Sequence, residues 1–403
     1  MKILQISPQI SFPPDSGGRL SIYGITKSLA ERGHKVTFVC YTNKPISEST
    51  INELKKICNP VFIEWKINNS IKTAVQNLFS KVPYNISKYY SKKLKIFLID
   101  YLKHNAVDVV HVDHLHMAWI IDIIRKVSNV PVILREHNLE MKIMERYSED
   151  QSNILFKYYS KLQFKKFLLY EPDQCRKFNR CLMVSKEDEK SLLNLNPNIK
   201  TKVIPIGVDK KIFSWHKSED IPFSIFHLGA LDWQPNYDGL SWILNEVFPK
   251  VVDVHPNSKL YVYGRGGDRL NISNNIKNNV IIKGYVENIW DEVKDKQILL
   301  VPLRVGSGMR VKIIEMLGAG YLIISTSIGK EGIDVTDGKH IFIADNSETF
   351  VKKIMDIFEK RIDAESVTKS ARNIIKQKYD WENIAADLET EYLNSINEIN
   401  IKA

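Results

Sequence analysis

The sequence predicts an α/β protein made of two doubly wound parallel-sheet domains that face a central cleft. Short, almost continuously apolar segments alternate with amphipathic helical segments along all 403 residues, which is typical of parallel strands covered by helices on both faces. The alternation runs through both halves of the chain, and about 200 residues per half suffice for one domain each. Such sheets bind ligands beyond the carboxyl ends of their strands, so the cleft is the expected binding site.

The individual strands are predicted from apolar runs bounded by glycine, proline or polar residues. In the first half they cover 2–7, 35–40, 107–112, 130–136, 180–185 and 202–208, with a helix over 21–32 after the first strand. In the second half they cover 223–229, 259–264, 280–286, 298–303, 321–326 and 340–345, followed by a final amphipathic helix over 379–396. The segment 207–222 is the predicted linker.

The segment 298–326 carries the clearest sign of a binding site. Its first strand is followed by Gly306-Ser307-Gly308, about ten helical residues and a glycine-rich stop. Lys312 and Glu315 share one flank of that helix, because residues three apart are neighbours. An intrahelical ion pair contributes only about 0.2–0.5 kcal/mol, less than the several kcal/mol that desolvating two charges costs. A polar ligand therefore explains the two charges better than an ion pair does.

The residue types of this segment indicate a nucleotide. Glycines before a helix let an anion approach the backbone N–H groups at the positive end of the helix dipole. Lys312 is placed to meet a phosphate as a point charge, and Glu315, one turn further on, to accept hydrogen bonds from a ribose diol. The lysine lies inside the helix and the chain has no Gly-Lys-Ser/Thr sequence, so this is not a P-loop.

Charge is distributed unevenly along the chain. The net charge is +10, and residues 1–200 carry 31 Lys and Arg against 19 Asp and Glu, whereas the remainder carries 26 against 28. Aromatic residues alternate with lysines in two segments that are predicted to be amphipathic helices, 84–97 and 156–170. This pattern predicts peripheral contact with an anionic membrane or with an acidic partner. A solvated lysine-rich face is the alternative. No nucleic-acid-binding motif is present, so nucleic acid is not an expected partner.

Other features restrict the location and the cofactors. No apolar run approaches the about 18 residues of a transmembrane helix, and the first segment is typical of a strand rather than of a secretion signal. The four cysteines lack metal-like spacing, so we expect a cytoplasmic protein with reduced thiols. The predicted membrane contact would place it peripherally at the inner face of the plasma membrane. The chain contains no Asp-x-Asp sequence, and neither a metal nor another cofactor is expected.

Five segments, in the right order, resemble the GT-B-fold retaining glycosyltransferases of family four, the group 1 type. They are the opening 7–40 with its Gly-Gly loop, VILREHNLE at 132–140, PIGVD at 205–209, HLGALDWQPNYDGLSWILNEVFPKV at 227–251, and VPLRVGSGMRVKIIEMLGAG at 301–320. The closing YDWENI segment is similar to the helix that crosses back onto the first domain in this fold.

The resemblance implies an acceptor-binding domain over 1–205, with 379–403 packing back on it, and a donor-binding domain over 206–378. The implied activity is transfer of a sugar from a nucleoside-diphosphate sugar to a glycan or lipid-linked acceptor. Lipopolysaccharide, capsule and exopolysaccharide synthesis in bacteria are all compatible with it. The resemblance also implies retention at the anomeric carbon and no requirement for a metal.

The resemblance further implies three groups of site residues. The catalytic residues are Asp113, His137 and Lys312. The donor-binding residues are Gly17, Gly18, Trp233, Asn236, Gly306, Ser307, Gly308, Met309, Arg310, Lys312 and Glu315. The acceptor-side residues are Arg19, His111, His116, Arg135 and Asn138. Purely structural explanations stay open for the Gly17-Gly18 turn, for Trp233 as a core residue and for His137. A metal shared by the histidines around Asp113 is disfavoured, because alternate residues of a strand point to opposite faces.

The chain departs from the family pattern at three places. The first of two glutamates usually eight positions apart is replaced by Ser307, and Asp113 stands where a histidine is usual. The segment ALDWQPN at 230–236 lacks the basic residue that many members place on the diphosphate, so Lys312 and Arg310 are the expected cations. A GT-B-fold nucleotide-sugar epimerase and a non-catalytic nucleotide-sugar-binding protein are the alternative functions.

Overall fold

The protein is described from a computed structural model, which covers residues 1–150, 153–306 and 308–401. These residues form two compact units, each with its own sheet and core. The first unit comprises 1–207 and 381–403, and the second comprises 208–380. The predicted boundaries, at 205/206 and 378/379, lie two residues before the observed crossings.

The first unit is built on a seven-stranded parallel sheet with the order β3-β2-β1-β4-β5-β6-β7. Its strands are β1 (Lys2–Ser7), β2 (Lys35–Thr42), β3 (Asn59–Glu64), β4 (Val109–Asp113), β5 (Val132–Glu136), β6 (Arg180–Met183) and β7 (Thr201–Val203). The strand order reverses between β1 and β4, which are hydrogen-bonded neighbours. Ligand sites of open α/β sheets lie at such a reversal, beyond the carboxyl ends of the strands.

The helices of the first unit cover both faces of this sheet. They are α1 (Gly17–Glu31), α2 (Glu48–Lys55), α3 (Ile71–Asn77), α4 (Tyr84–Ser87), α5 (Lys92–His104), α6 (Ile121–Val127), α7 (Glu140–Asp150), α8 (Ile154–Cys175) and α9 (Lys186–Leu195). Every residue of β4 and β5 is buried, as expected for central strands packed on both sides. The apolar content of these strands therefore supplies the core of the unit.

Three elements of the first unit differ from the sequence predictions. Strand β3 was not predicted, because its Pro60 is disfavoured inside a sheet; β3 is an edge strand, where proline is tolerated. Helix α1 begins at Gly17 rather than Ser21, so the Gly-Gly pair forms its first turn. The predicted helix over 84–97 is divided into α4 and α5, and the Ser91 hydroxyl caps α5 by accepting a hydrogen bond from the Leu94 N–H.

The second unit is built on a six-stranded parallel sheet with the order β10-β9-β8-β11-β12-β13. Its strands are β8 (Ser224–Leu228), β9 (Lys259–Tyr263), β10 (Val280–Gly284), β11 (Ile298–Val301), β12 (Leu322–Ser325) and β13 (Phe342–Ile343). Its helices are α10 (Gln234–Trp242), α11 (Phe248–Val254), α12 (Ile289–Val293), α13 (Val311–Ala319), α14 (Ser347–Phe358) and α15 (Ala364–Tyr379). The strand order reverses between β8 and β11. The prediction of two parallel-sheet, Rossmann-like domains is confirmed.

The last helix, α16 (Trp381–Asn400), packs on the first unit, where its residues are part of the core. The Trp381 ring lies so close to Gly24 and Gly207 that a Cβ on either glycine would overlap it. Arg32 forms an ion pair with Glu389, and Arg180 lies 3.0 Å from Glu391. Side-chain contacts thus join α16 to the first sheet and its helices.

Candidate active site

The glycine loop and α13 follow the strand β11, directly beside the reversal of the second sheet. Lys312, in the first turn of α13, donates a hydrogen bond from Nζ to the Leu228 carbonyl at the end of β8, 2.6 Å away. This contact crosses the reversal point, where nucleotide sites of α/β sheets are found. Among the described residues, no ion pair joins Lys312 to Glu315, so the two charges do not neutralise each other.

Both charged side chains of α13 are desolvated. Burial, followed by the positive charge of Arg310, lowers the pKa of Lys312 to about 7. Burial raises the pKa of Glu315 to about 7. The fully buried His227 lies close enough to Lys312 that burial and the ammonium together lower the pKa of His227 to about 3. A half-buried amine and a half-buried carboxyl with perturbed pKa values favour a functional site over a structural ion pair.

Arg310 adds a second cation beside the glycine loop. Its guanidinium lies 5.6 Å from the centre of the Trp233 ring, a cation–π distance, and its Nη1 donates a hydrogen bond to the Gly308 carbonyl at 2.9 Å. Gly306 has a φ of +139° and Gly308 a φ of +84°, which glycine adopts without strain. Ser307 lies outside the described residues, so its predicted role stays a prediction.

The remaining predicted donor residues surround the same loops. Trp233 precedes α10 and is 44% exposed, so it is not a core residue. Asn236 is buried and donates to the Ala230 carbonyl at 2.9 Å, which holds the turn after β8. Met309 is buried beneath the glycine loop. The structure therefore brings Trp233, Arg310 and Lys312 to one edge of the sheet, with Asn236 as support.

One loop of this edge was not among the predicted site residues. The turn after β9, YGRGGD, lies against the turn after β8, and the Leu231 N–H donates to the Arg265 carbonyl at 2.7 Å. Arg265 lies 3.7 Å from Asp232, and Arg269 donates to the Leu231 carbonyl at 3.0 Å. These arginines provide basic residues that the segment 230–236 itself lacks. The glycine-rich turn was the signal that marked them.

In the first unit, Asp113 ends β4 at the other reversal point and accepts three contacts. His111 Nε2 lies 3.3 Å and His137 Nε2 3.2 Å from Asp113 Oδ1, and Gln5 donates to Oδ2 at 2.9 Å. Burial alone would raise the pKa of Asp113, but His111 and His137 hold that pKa well below its ordinary value. Three of the predicted residues thus form one buried network around an ionised carboxylate.

Further rings extend this network. The His114 ring stacks on that of His137 with centroids 3.8 Å apart. Burial, together with the charges of His137 and His116, lowers the pKa of His114 well below its ordinary value. Burial also lowers the pKa of His137, against the opposing effect of Asp113. Among the described residues, His137 Nδ1 has no hydrogen-bond partner.

Tyr392 is a member of the network that sequence reasoning missed. Its hydroxyl lies 2.6 Å from His111 Nδ1, so a residue of α16 reaches the side chains around Asp113. No local signal marks Tyr392, because it occupies an ordinary buried position of an amphipathic helix. Only the packing of α16 on the first sheet brings it there.

The predicted acceptor-side residues do not form one surface. Arg135 is fully buried and donates to the carbonyls of Ile204 and Pro205 at 3.0 and 3.1 Å, which holds the chain where it leaves the sheet. His116 lies 3.9 Å from Glu140 and 4.6 Å from the centre of the Tyr89 ring. These two residues and the buried His111 have structural partners, and their predicted contact with an acceptor stays a prediction.

The other predicted residues of the first unit lie at loop edges. Arg19, in the first turn of α1, pairs with Asp15 at 3.0 Å. Gly18 packs near the Gln9 side chain, and Gly17 is exposed. Asn138 is half-buried between β5 and α7. Their predicted ligand contacts are untested by the geometry.

Two further observations concern the described part of the chain. Within it, no group of three or more His, Cys, Asp or Glu side chains is arranged to hold a metal ion. None of its helices is both long enough and apolar enough to cross a membrane.

Two Rossmann-like parallel-sheet units in one chain are the architecture of the GT-B fold. The model of "Glycosyltransferase Family 4" matches residues 16–211, and that of "Glycosyl transferases group 1" matches 222–360. Together the two matches cover most of both units. The chain is a glycosyltransferase of the GT-B fold, which confirms the predicted fold and enzyme class.

Individual proteins resemble this chain over almost its whole length. An uncharacterized 44.6 kDa protein in a cps region of Klebsiella pneumoniae is 24% identical over 96% of this chain and 98% of that protein. Sucrose-phosphate synthase from Thermosynechococcus elongatus has a similar structure, with a TM-score of 0.70, 14% identity and coverage of 98% and 99% of the two chains. Anabaena HepE in complex with UDP-glucose gives a TM-score of 0.64, 14% identity and coverage of 98% and 100%.

Proposed function

We propose that the second unit binds a nucleoside-diphosphate sugar and that the first unit binds the glycan or lipid-linked acceptor of the transferred sugar. The observation that carries this proposal is the desolvated ammonium of Lys312 at the reversal of the second sheet, next to Arg310 and a glycine loop. In the described structure its hydrogen-bond acceptor is a neutral carbonyl. A diphosphate would supply the negative charge that this site lacks.

The charges of the second unit suit the leaving group of glycosyl transfer. When the bond between the anomeric carbon and the diphosphate breaks, negative charge develops on the departing phosphate oxygen. Preorganised cations that meet such charge lower the barrier, and Lys312 and Arg310 fill this role without a metal. Glu315 accepts hydrogen bonds from the ribose diol of the same donor.

For the acceptor we propose a reaction with retention at the anomeric carbon. The acceptor oxygen forms a bond to the anomeric carbon on the face that the diphosphate leaves, and the acceptor proton passes to the departing phosphate oxygen. Asp113 and His137 orient the acceptor hydroxyl. The relative from a cps region of Klebsiella pneumoniae supports a role in bacterial surface polysaccharide synthesis.

A comparison of two lysine variants tests the donor site. Lys312→Met should lower the transfer rate by about 10²–10³-fold, because the diphosphate charge is no longer matched, while the protein stays folded. Lys352→Met, a change of an exposed lysine on α14 of the same unit, is the matched control and should transfer at the wild-type rate. Product formation from UDP-glucose and other nucleotide sugars is measured by chromatography. Wild-type turnover in Lys312→Met would reject the proposed donor site.

We further propose that the first unit touches an anionic membrane on the cytoplasmic side. On α8, Phe156 is 60% and Tyr158 70% exposed, and Phe79, in the turn that follows α3, is 93% exposed. Side-chain contacts join these helices, because Gln163 donates to Asn77 Oδ1 at 3.2 Å. Exposed aromatic residues beside lysines are typical of interfacial binding.

The structure corrects one part of the sequence-based membrane surface. Lys166, within the predicted segment 156–170, is buried and donates hydrogen bonds to Asn77, so it does not face an anionic surface. The test is sedimentation with vesicles that contain phosphatidylglycerol. Phe156→Ser with Tyr158→Ser should reduce binding, whereas Tyr285→Ser, at a 72% exposed tyrosine of the second unit, should not. Equal binding of both variants would remove this surface from the proposal.

A further inference from the structure

A cavity of about 400 Å³ lies at the carboxyl ends of β1, β2 and β3 in the first unit. Gln9 follows β1, Asn43 follows β2 and Trp65 follows β3, and all three line the cavity. Of the candidate residues described above, only Arg19 lines it. The edge of a parallel sheet where strands end is the usual position of a ligand, and this cavity has none assigned to it.

The walls of the cavity include rings held in fixed positions. The rings of Tyr41 and Trp65 have centroids 6.4 Å apart. Tyr41 donates its hydroxyl to the Tyr89 carbonyl at 2.7 Å, and Trp65 donates its indole N–H to the Lys88 carbonyl at 2.9 Å. Their polar atoms are therefore satisfied on the protein side, and the rings contribute apolar, electron-rich faces. The C–H face of a pyranose ring is complementary to such a surface.

The polar groups of the cavity favour a ligand that is hydrogen-bonding and negatively charged. The amides of Gln9 and Asn43 offer both donors and acceptors. Arg19 and Lys44 are the two cationic side chains of the lining, and no carboxylate is among the described lining residues. Asp15 pairs with Arg19 at 3.0 Å, so Lys44 carries the excess positive charge. Apolar walls with a few polar groups are typical of small-molecule sites.

We propose that this cavity binds an anionic sugar residue, carrying a carboxylate or a phosphate, of the acceptor glycan. The inference rests on the proposed function, because it assigns one residue of the acceptor to a place on the first unit. Strand β4, which ends in Asp113, pairs with β1 on the same sheet. A glycan seated in the cavity therefore extends along one sheet edge, and the residue that it presents next to β4 carries the reacting hydroxyl.

The experiment compares three sugars on the full chain by saturation-transfer NMR. Methyl β-D-glucuronide and glucose 6-phosphate carry the two kinds of anionic group, and methyl β-D-glucoside is the neutral control. The anionic sugars should bind about tenfold more tightly than the glucoside, as expected for one charge-assisted hydrogen bond. The difference in affinity between the two anionic sugars identifies whether the cavity prefers a carboxylate or a phosphate.

Two lysine variants test whether the sugars bind in the cavity. Lys44→Met should remove the preference for the anionic sugars and leave the glucoside affinity unchanged, whereas Lys103→Met, at an exposed position of α5, should change neither. Asn43→Ala should weaken the binding of all three sugars, because a hydrogen bond that each of them makes is lost. No binding of any sugar, equal binding of charged and neutral sugars, or an unchanged preference in Lys44→Met would overturn the inference.

Thermal stabilisation by UDP separates this inference from the proposed function. UDP should stabilise wild-type protein and Lys44→Met equally, because a ligand of the second unit does not use the cavity. Sugar binding that fails while UDP still stabilises the protein rejects the cavity alone. Failure of UDP to stabilise the wild-type protein rejects the donor site of the proposed function.

Discussion

The charged side chains at the two strand reversals of this protein have opposite surroundings. In the first unit, Asp113 accepts a hydrogen bond from the Gln5 amide, and His111 and His137 hold the pKa of Asp113 well below its ordinary value. In the second unit, Glu315 and Lys312 share a helix flank, and burial shifts the pKa of each of them to about 7. The carboxylate of the first site has partners within the protein, whereas the second site carries charges that burial disfavours.

This difference indicates which of the two sites would gain a counter-charge from a ligand. A buried carboxylate with hydrogen-bonding partners contributes to the stability of the folded state, whereas a desolvated charge without a partner reduces it. Under the proposed function, the network around Asp113 orients an acceptor hydroxyl. Under the same proposal, the segment around Lys312 gains a counter-charge when the donor diphosphate binds.

The largest expected effect is that of Asp113→Asn on transfer. The amide replaces one of the two acceptor oxygens with a donor, so the network around His137 loses its orientation and its negative charge. We expect the transfer rate to fall by about 10³-fold, within the range that positioned acid–base groups contribute.

The same variant tests whether the affinity for UDP depends on the second unit and not on the first. The affinity for UDP, measured by isothermal titration calorimetry, should be that of the wild type, since Asp113 belongs to the first unit. If Asp113→Asn lost UDP binding as strongly as Lys312→Met, the assignment of the donor to the second unit and of the acceptor to the first would be incorrect.

The next effect concerns the pH dependence of stability in Glu315→Gln. The pKa of Glu315 is about 7 in the folded protein and ordinary when unfolded. Between these two pKa values the folded state holds a proton that the unfolded state has lost, so stability falls as pH rises. Glu315→Gln lacks this pH-dependent loss of stability, so its free energy of unfolding should exceed that of the wild type by about 3 kcal/mol at pH 8, with no gain near pH 4.5. Parallel urea-unfolding profiles of the two proteins across this range would contradict the desolvation of Glu315.

Much of this comparison could be predicted from the sequence, because parallel strands and a glycine loop are local patterns. Apolar runs indicated both sheets, and the spacing of Lys312 and Glu315 indicated a ligand. The partners of Asp113 were only partly predictable. His111 and His137 lie near strand ends, but Tyr392 reaches the network from 281 positions away in the chain. Burial of Arg135 and Lys166 was equally unpredictable, since both residue types are usually exposed.

The smallest effect is expected for Tyr392→Phe. The variant removes the hydroxyl that contacts His111 Nδ1 but keeps the ring, so it should lower stability by about 1 kcal/mol. Transfer should fall less than tenfold, because the His111 ring loses one hydrogen-bond partner while Asp113 remains. An unchanged transfer rate would show that Tyr392 only packs α16 on the sheet.

The central claim, that Lys312 meets the donor diphosphate, is tested most directly by proton uptake on UDP binding at pH 8. With a pKa of about 7, the amine is mostly uncharged at this pH, and a bound diphosphate raises the pKa and draws in just under one proton from the buffer. Titration calorimetry in buffers with different ionisation enthalpies should show this uptake in the wild type and in Lys352→Met, and its loss in Lys312→Met. Binding heats that do not depend on the buffer would contradict the account.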